Sequence, residues 1–241
     1  MKTFSLSFFS LFIAISGWSE DRPNIIILLA DDLGWADLGY QGSNDIRSPH
    51  IDKLANNGIR FTDGHVSASV CSPSRAGLMT GRYQQRFGHE ANSPPHSDGM
   101  DLKQLTIADR LKKLGYRTGL VGKWHLGNQD EFYPTQRGFD YFYGLRSGSR
   151  SYFYNAQKDD KAGNAKAIEE NGKRVKFDGY LTDVFGQKAI DFINTKDDRP
   201  FFLFHSFTAP HGPMHATEED EALFASIENT KRRSYAAMIW A

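Results

Sequence analysis

The sequence predicts an α/β fold in which a mostly parallel central sheet is sandwiched by helices. Apolar runs rich in β-branched or aromatic residues, at 24–30, 118–121 and 201–207, have the composition of buried parallel strands. Segments with helix caps and amphipathic spacing lie between these runs, and this alternation is typical of strands joined by helical crossovers. Such sheets bind ligands at the carboxyl ends of their strands, so we expect the functional site there.

Residues 1–19 are predicted to be a secretory signal peptide, which leaves a domain spanning residues 20–241. Lys2 supplies a positive start, residues 4–15 are mostly apolar, and Ser19 ends a small-residue cleavage site. The alternative is a membrane anchor, but this stretch is short for a hydrocarbon core of about 30 Å. One cysteine and no Asn-x-Ser/Thr acceptor favour an exported bacterial protein, periplasmic or secreted, without stable membrane insertion after cleavage.

The first elements of the domain follow from local signals. The run at 24–30 is expected to be a fully buried strand. Residues 48–58 have a Ser-Pro start and a glycine stop, which predict a helix, and residues 59–61 are expected to form a short strand. Pro73 is expected to open the next helix, because its missing N–H is one that the first turn leaves unpaired. Gly81 ends that helix.

The second half begins with a helix that Thr106 and Asp109 start in a pattern similar to a capping box, and that Gly115 ends. Residues 146–176 are polar and rich in glycine and lysine, which predicts an exposed excursion. The remaining predicted elements are a strand at 118–121, a helix from the cap Thr182 to about Asn194, a strand at 201–207 and a helix from about Ser234.

Cys71 is predicted to be a reactive residue just before a helix. Backbone N–H groups and the helix dipole favour negative charge at that position. Arg75 adds a fixed cation one turn later. The alternative is a buried structural cysteine, which is the more common role of a lone cysteine.

Other polar residues follow the predicted strands. The adjacent carboxylates of Asp31 and Asp32 need neutralisation, and a hard cation such as Ca²⁺ or Mg²⁺ provides it. Lys123 and His125 are two residues apart, so an extended segment turns both side chains to one face, where they can bind an anion and move protons. His211 lies between two prolines after a strand. The alternatives are a solvated Asp-Asp turn and ordinary loop residues.

Residues 71–75, Cys-Ser-Pro-Ser-Arg, resemble the signature of type I sulfatases, the formylglycine-dependent branch of the alkaline phosphatase superfamily. Residues 115–127 resemble the second signature of that family, and residues 137–144 are also similar to it. The resemblance extends from Pro23 to the end of the chain. It implies an alkaline-phosphatase-like fold and the activity of a sulfuric-ester hydrolase.

The resemblance also implies a cofactor, a modification and a set of site residues. Cys71 would be converted to formylglycine by a maturation enzyme, and Ca²⁺ is expected in preference to Mg²⁺. The family brings a further Asp-Asn pair to the metal, and another lysine to the sulfate, from sequence beyond residue 241. We therefore expect an N-terminal portion of a sulfatase domain. The implied metal ligands are Asp31, Asp32 and Cys71, and the implied catalytic residues are Cys71, Arg75, Lys123, His125 and His211.

The predicted function is release of inorganic sulfate from a sulfated carbohydrate or an aryl sulfate. One alternative is a phosphoester or phosphonate hydrolase of the same superfamily, and another is a non-catalytic fragment that binds sulfated glycans. Aromatic residues 152–154 either line a sugar cleft or pack in the core. The 29 basic and 29 acidic residues balance, which gives no electrostatic basis for binding nucleic acid.

Overall fold

The computed structural model describes residues 22–93, 98–159, 161 and 163–241. The predicted signal peptide at 1–19 lies outside these residues. Within the described residues, six strands form one sheet in the spatial order β1-β6-β2-β3-β4-β5. Strands β1, β6, β2 and β3 are mutually parallel, and the short β4 and β5 pair antiparallel at the far edge. The strands are β1 (Ile25–Asp31), β2 (Arg117–Lys123), β3 (Tyr141–Leu145), β4 (Glu169–Glu170), β5 (Lys173–Arg174) and β6 (Phe201–Pro210).

Helices cover both faces of this sheet, which confirms the predicted α/β class. Successive residues of β6 alternate between the faces: Phe202 and Phe204 pack in one apolar cluster, and Leu203 packs in the other. None of the helices in the described part of the chain is long and apolar enough to cross a membrane. The helices are α1 (Pro49–Asn57), α2 (Cys71–Thr80), α3 (Ile107–Lys113), α4 (Ala156–Asp159), α5 (Leu181–Ile193), α6 (Glu218–Ala222) and α7 (Thr230–Trp240).

Strand β1 is not fully buried, which corrects the prediction for residues 24–30. Its residues alternate, with Ile26 and Leu28 exposed to 45% and 55%. Ile25 and Ile27 point the other way and pack against the core. The apolar run was therefore compatible with a strand at the sheet edge, where the described residues cover one face only.

Several boundaries also differ from the prediction. Residues 59–61 form no strand, and Phe61 is exposed. Helix α5 begins at Leu181 with Tyr180 as its N-cap, two residues before the expected cap at Thr182. Helix α7 begins at Thr230 rather than near Ser234, because the Asn229 side chain accepts a hydrogen bond from the Arg232 N–H.

Two other predictions have clear outcomes. The capping box of α3 is confirmed, since the Asp109 N–H donates to the Thr106 hydroxyl at 3.0 Å and the Thr106 N–H donates to the Asp109 carboxylate at 2.8 Å. The excursion at 146–176 is only partly exposed. Tyr152 and Ile168 are buried in the core, and β4 and β5 rejoin the sheet.

Candidate active site

The site residues meet at the carboxyl ends of three neighbouring strands. Asp31 ends β1, Lys123 ends β2, and His211 follows Pro210 at the end of β6. Parallel strands bring these ends to one edge of the sheet. Helix α2 approaches the same edge with its N-terminus, so Cys71 joins them from a different layer.

Cys71 is the first residue of α2 rather than a residue just before it. Pro73 therefore lies inside the first turn. Backbone N–H groups there have no acceptor within the helix, so the N–H that proline lacks costs no hydrogen bond. The Cys71 side chain is half-buried and belongs to no disulfide. The N-terminal N–H groups of this ten-residue helix surround it with positive partial charge. The setting favours an anion, as the sequence predicts.

Asp31 lies between two buried cations. Its Oδ2 atom is 2.5 Å from Lys123 Nζ, and its Oδ1 atom is 3.5 Å from Arg75 Nη2. Lys123 is fully buried and Asp31 is 5% exposed, so these charges are held without solvent. Two positive groups thus face one carboxylate, and the cluster retains an excess of positive charge.

Arg75 is oriented by contacts that could not be predicted from the sequence. Its Nη1 donates to the Lys123 carbonyl at 2.8 Å and to Ser206 Oγ at 2.5 Å. The Ser206 hydroxyl donates in turn to the same carbonyl at 2.7 Å. Burial lowers the pKa of Arg75, and the Asp31 carboxylate opposes that shift. The Nη2 group is buried and makes no hydrogen bond with any described residue.

His125 is held in a strained backbone conformation, with φ of 58° at the exit from β2. Burial lowers its pKa to about 3, and the nearby charges of Lys123 and Arg75 act in the same direction. The imidazole is therefore neutral near pH 7. Gly148 packs against the ring, and a Cβ at position 148 would lie 2.5 Å from its Cε1 atom.

His211 and Asp32 form the outer rim of the site. His211 Nδ1 donates to the Gly212 carbonyl at 2.6 Å, and Nε2 lies 3.5 Å from Asp32 Oδ2. The Asp32 side chain is 59% exposed and its backbone has φ of 63°. The Tyr152 hydroxyl lies 2.6 Å and 2.7 Å from the carbonyl oxygens of Thr208 and His211, so its single proton anchors this segment.

Asp31, Cys71 and His211 form a candidate metal site, because their ligand atoms lie within 4.8 Å of one another. The predicted set was Asp31, Asp32 and Cys71. The structure brings Asp31 and Cys71 together, and Asp32 lies beside His211, the third member of the cluster. Two carboxylates suit a hard cation, but Ca²⁺ takes about six to eight oxygen ligands and a thiol is a soft one. These residues therefore fit part of a Ca²⁺ shell, provided that residue 71 offers oxygen.

Two further residues support the site and were missed in the sequence. Ser72 Oγ donates to the His125 carbonyl at 2.6 Å and lies 2.7 Å from His89 Nε2. Ser72 and His89 are both buried, so this contact ties the start of α2 to the His125 turn. No motif points to His89, because its partner is distant in the sequence.

Comparison with known proteins identifies the family. The family model named Sulfatase matches residues 23–239, which is most of the chain. The chain belongs to the sulfatase family. Its relatives include mouse (Mus musculus) arylsulfatase J, 36% identical over 225 residues, and mouse N-acetylgalactosamine-6-sulfatase, 34% identical over 223 residues. These alignments cover 90% and 85% of this sulfatase-family chain, but only 37% and 43% of the relatives.

Solved structures agree with that assignment. The sulfatase-family chain matches Ps i-CgsB in complex with k-i-k-neocarrahexaose with a TM-score of 0.86 and 39% identity, covering 90% of this chain and 52% of that one. A protein in complex with its substrate D-glucosamine-2-N,6-O-disulfate matches with a TM-score of 0.71 and 30% identity, covering 86% and 38%. A phosphonate monoester hydrolase of Agrobacterium radiobacter, at 19% identity, shares the fold alone.

Proposed function

We propose that this chain carries the nucleophile-bearing half of a sulfuric-ester hydrolase, which releases inorganic sulfate from a sulfated carbohydrate or an aryl sulfate. One observation carries the proposal: the buried cations Arg75 and Lys123 converge with Asp31 on Cys71 at a helix N-terminus. Preorganised positive groups in a water-poor site stabilise the charge that develops on transferred oxyanions.

The cations have distinct tasks in this proposal. Arg75 Nη2 is buried and free of hydrogen bonds among the described residues, so it can donate to a sulfate oxygen. Lys123 is paired with Asp31 and would share its ammonium group between that carboxylate and the sulfate. Ser206 keeps the guanidinium in place, because it occupies Nη1 and leaves Nη2 for the anion.

Asp31, Asp32 and residue 71 would hold the Ca²⁺ ion that the family implies. When bound, Ca²⁺ neutralises charge on the sulfate and polarises its ester bond. Asp31 already faces two cations, so the exposed Asp32 and the sulfate itself are needed to balance the added charge. The Asp32 carboxylate lies on the outer side of the site, from which it could take this role.

The nucleophile and the proton transfers fall to three residues. Cys71, once converted to formylglycine, supplies a hydroxyl of the aldehyde hydrate as the nucleophile. His211 has Nδ1 engaged as a donor to the Gly212 carbonyl, so the doubly protonated imidazolium form would deliver its Nε2 proton to the departing alcohol and return to the neutral ring. Burial lowers the pKa of His125 to about 3, so its ring is neutral and has a free nitrogen lone pair; the negative charge of a bound sulfate would raise that pKa and let the ring accept a proton from the second hydroxyl.

The relatives support a sulfated carbohydrate as the substrate class. Their names include N-acetylgalactosamine-6-sulfatase, and two matched structures contain neocarrahexaose or a glucosamine disulfate. We further propose that the protein is exported by the segment at 1–19 and is matured by a formylglycine-generating enzyme.

The test is to produce the full-length protein with and without a maturation enzyme. We expect the tryptic peptide containing Cys71 to exchange sulfur for oxygen and lose two hydrogens, and only the modified protein to hydrolyse 4-nitrophenyl sulfate. Cys71→Ala should abolish turnover without unfolding the protein. An active preparation with unmodified cysteine would refute the nucleophile, and faster cleavage of 4-nitrophenyl phosphate would favour the phosphoester alternative.

A further inference from the structure

A cavity lies against the segment that follows His211. Its volume is about 650 Å³, within the range of ligand pockets. It is lined by residues of segment 149–166 together with Pro213 and His215. Pro213 is two residues after His211, so the cavity adjoins the position from which the alcohol would leave. Asp160 and Ala162 lie outside the described residues and are no part of this site.

Arg150 lines this cavity and joins two parts of its wall. It is buried, and its Nη2 pairs with Asp159 Oδ2 at 2.8 Å while its Nη1 donates to the Lys166 carbonyl at 2.9 Å. Asp159 also accepts a hydrogen bond from the Asn155 N–H at 2.6 Å. The Arg150 guanidinium thus links Asp159 to the Lys166 carbonyl across the segment that carries the cavity lysines, and Asp159 neutralises its charge.

Three lysines remain as unbalanced charges in the wall: Lys158, Lys161 and Lys166. All three are exposed, and none of their ammonium groups forms an ion pair with a described residue. Asp159 is the one carboxylate among the described lining residues, and Arg150 already occupies it. The described lining residues therefore carry an excess of positive charge, which favours an anionic ligand.

We propose that this cavity binds a second sulfate group of the substrate, on a sugar next to the one whose ester is cleaved. The inference rests on the proposed function, because it concerns the same substrate chain. Ser149 and Gln157 also line the cavity and offer hydrogen bonds to sugar hydroxyls. The protein then acts best on multiply sulfated oligosaccharides, and a small aryl sulfate reaches the active site without using this cavity.

The first test measures binding by calorimetry, with the full-length protein kept as the unmodified Cys71 form so that no turnover occurs. The probes are a sulfated dextran hexasaccharide and its unsulfated parent. The cavity variant carries Lys158→Gln, Lys161→Gln and Lys166→Gln. A matched control carries Lys53→Gln, Lys103→Gln and Lys113→Gln, which removes the same charge from exposed positions outside the cavity.

We expect the cavity variant to bind the sulfated probe about tenfold more weakly, and the control to change by less than about twofold. The difference should shrink at high salt, because exposed charges are screened. Equal weakening in both variants, or no weakening in the cavity variant, would overturn the proposal. So would binding of the unsulfated parent as tightly as the sulfated probe.

The second test separates this inference from the proposed function. In the matured enzyme, the cavity variant should keep its kcat/KM for 4-nitrophenyl sulfate and lose about tenfold for a multiply sulfated oligosaccharide substrate. Equal losses on both substrates would overturn the cavity proposal. If the unaltered enzyme hydrolyses no sulfate ester, the proposed function fails, and the binding experiment still decides whether the cavity takes an anion.

Discussion

Gly148→Ala should displace the His125 imidazole with little effect on folding. The added Cβ would lie 2.5 Å from His125 Cε1 and 2.7 Å from Nε2. Carbon atoms in contact are about 3.5 Å apart, so the ring must move by about 1 Å. A displacement of this size at a reacting group costs about 10²-fold in rate. We therefore expect kcat to fall about 100-fold, because His125 is the proposed proton acceptor.

Turnover of 4-nitrophenyl sulfate, measured together with thermal unfolding, tests this expectation. Gly186→Ala is the matched control, because a Cβ at that position on α5 meets no atom within 4 Å. It should leave turnover unchanged and raise stability by up to about 1 kcal/mol. Unchanged turnover in Gly148→Ala would refute the steric reasoning, and a loss that follows unfolding would show a structural effect instead.

Two further predictions concern buried charge. Asp31→Asn should lower the free energy of unfolding by about 3–5 kcal/mol, because fully buried Lys123 loses its counter-ion. Asp32→Asn should weaken Ca²⁺ binding in calorimetry, because the ion loses a carboxylate ligand. It should leave denaturant unfolding unchanged, because the Asp32 side chain is exposed. Equal stability of the two variants would contradict this. Burial lowers the pKa of His205 to about 4, so the unfolded chain binds the proton more readily, and stability should fall as the pH drops from about 6.5 to about 4. That cost is roughly 2 kcal/mol at pH 5. His205→Leu should reduce the slope of the unfolding free energy against pH, and buried His125, with its pKa also lowered, should supply the slope that remains. An unchanged slope in His205→Leu would contradict the role given to His205.

The sheet and its main crossovers could be predicted because local signals agreed with the tertiary structure. Thr106 and Asp109 form their capping box within one turn, so the sequence pattern predicts it without the rest of the fold. The exposure of Ile26 and Leu28 could not be predicted, because an apolar run has the same pattern in a central strand and in an edge strand. The two-residue strand β4 depends on pairing with β3 and has no periodicity of its own.

The clustering of the site could be predicted in outline. Asp31, Lys123 and His211 follow strands, and parallel strands end together. The supporting contacts could not be predicted, because they depend on three-dimensional proximity. Ser206 reaches Arg75 across 131 positions of sequence, and no pattern in the chain marks that pairing.

One short stretch, residues 147–152, connects functions that are otherwise separate. Gly148 limits the space of the His125 ring, Arg150 fastens the lysine-lined cavity, and the Tyr152 hydroxyl anchors the segment of His211. Substitutions in this stretch would therefore disturb catalysis and substrate choice together. The exposed lysines Lys158, Lys161 and Lys166 lie outside this stretch, so charge changes at those three positions can alter the proposed substrate preference during evolution while the reacting groups stay in place.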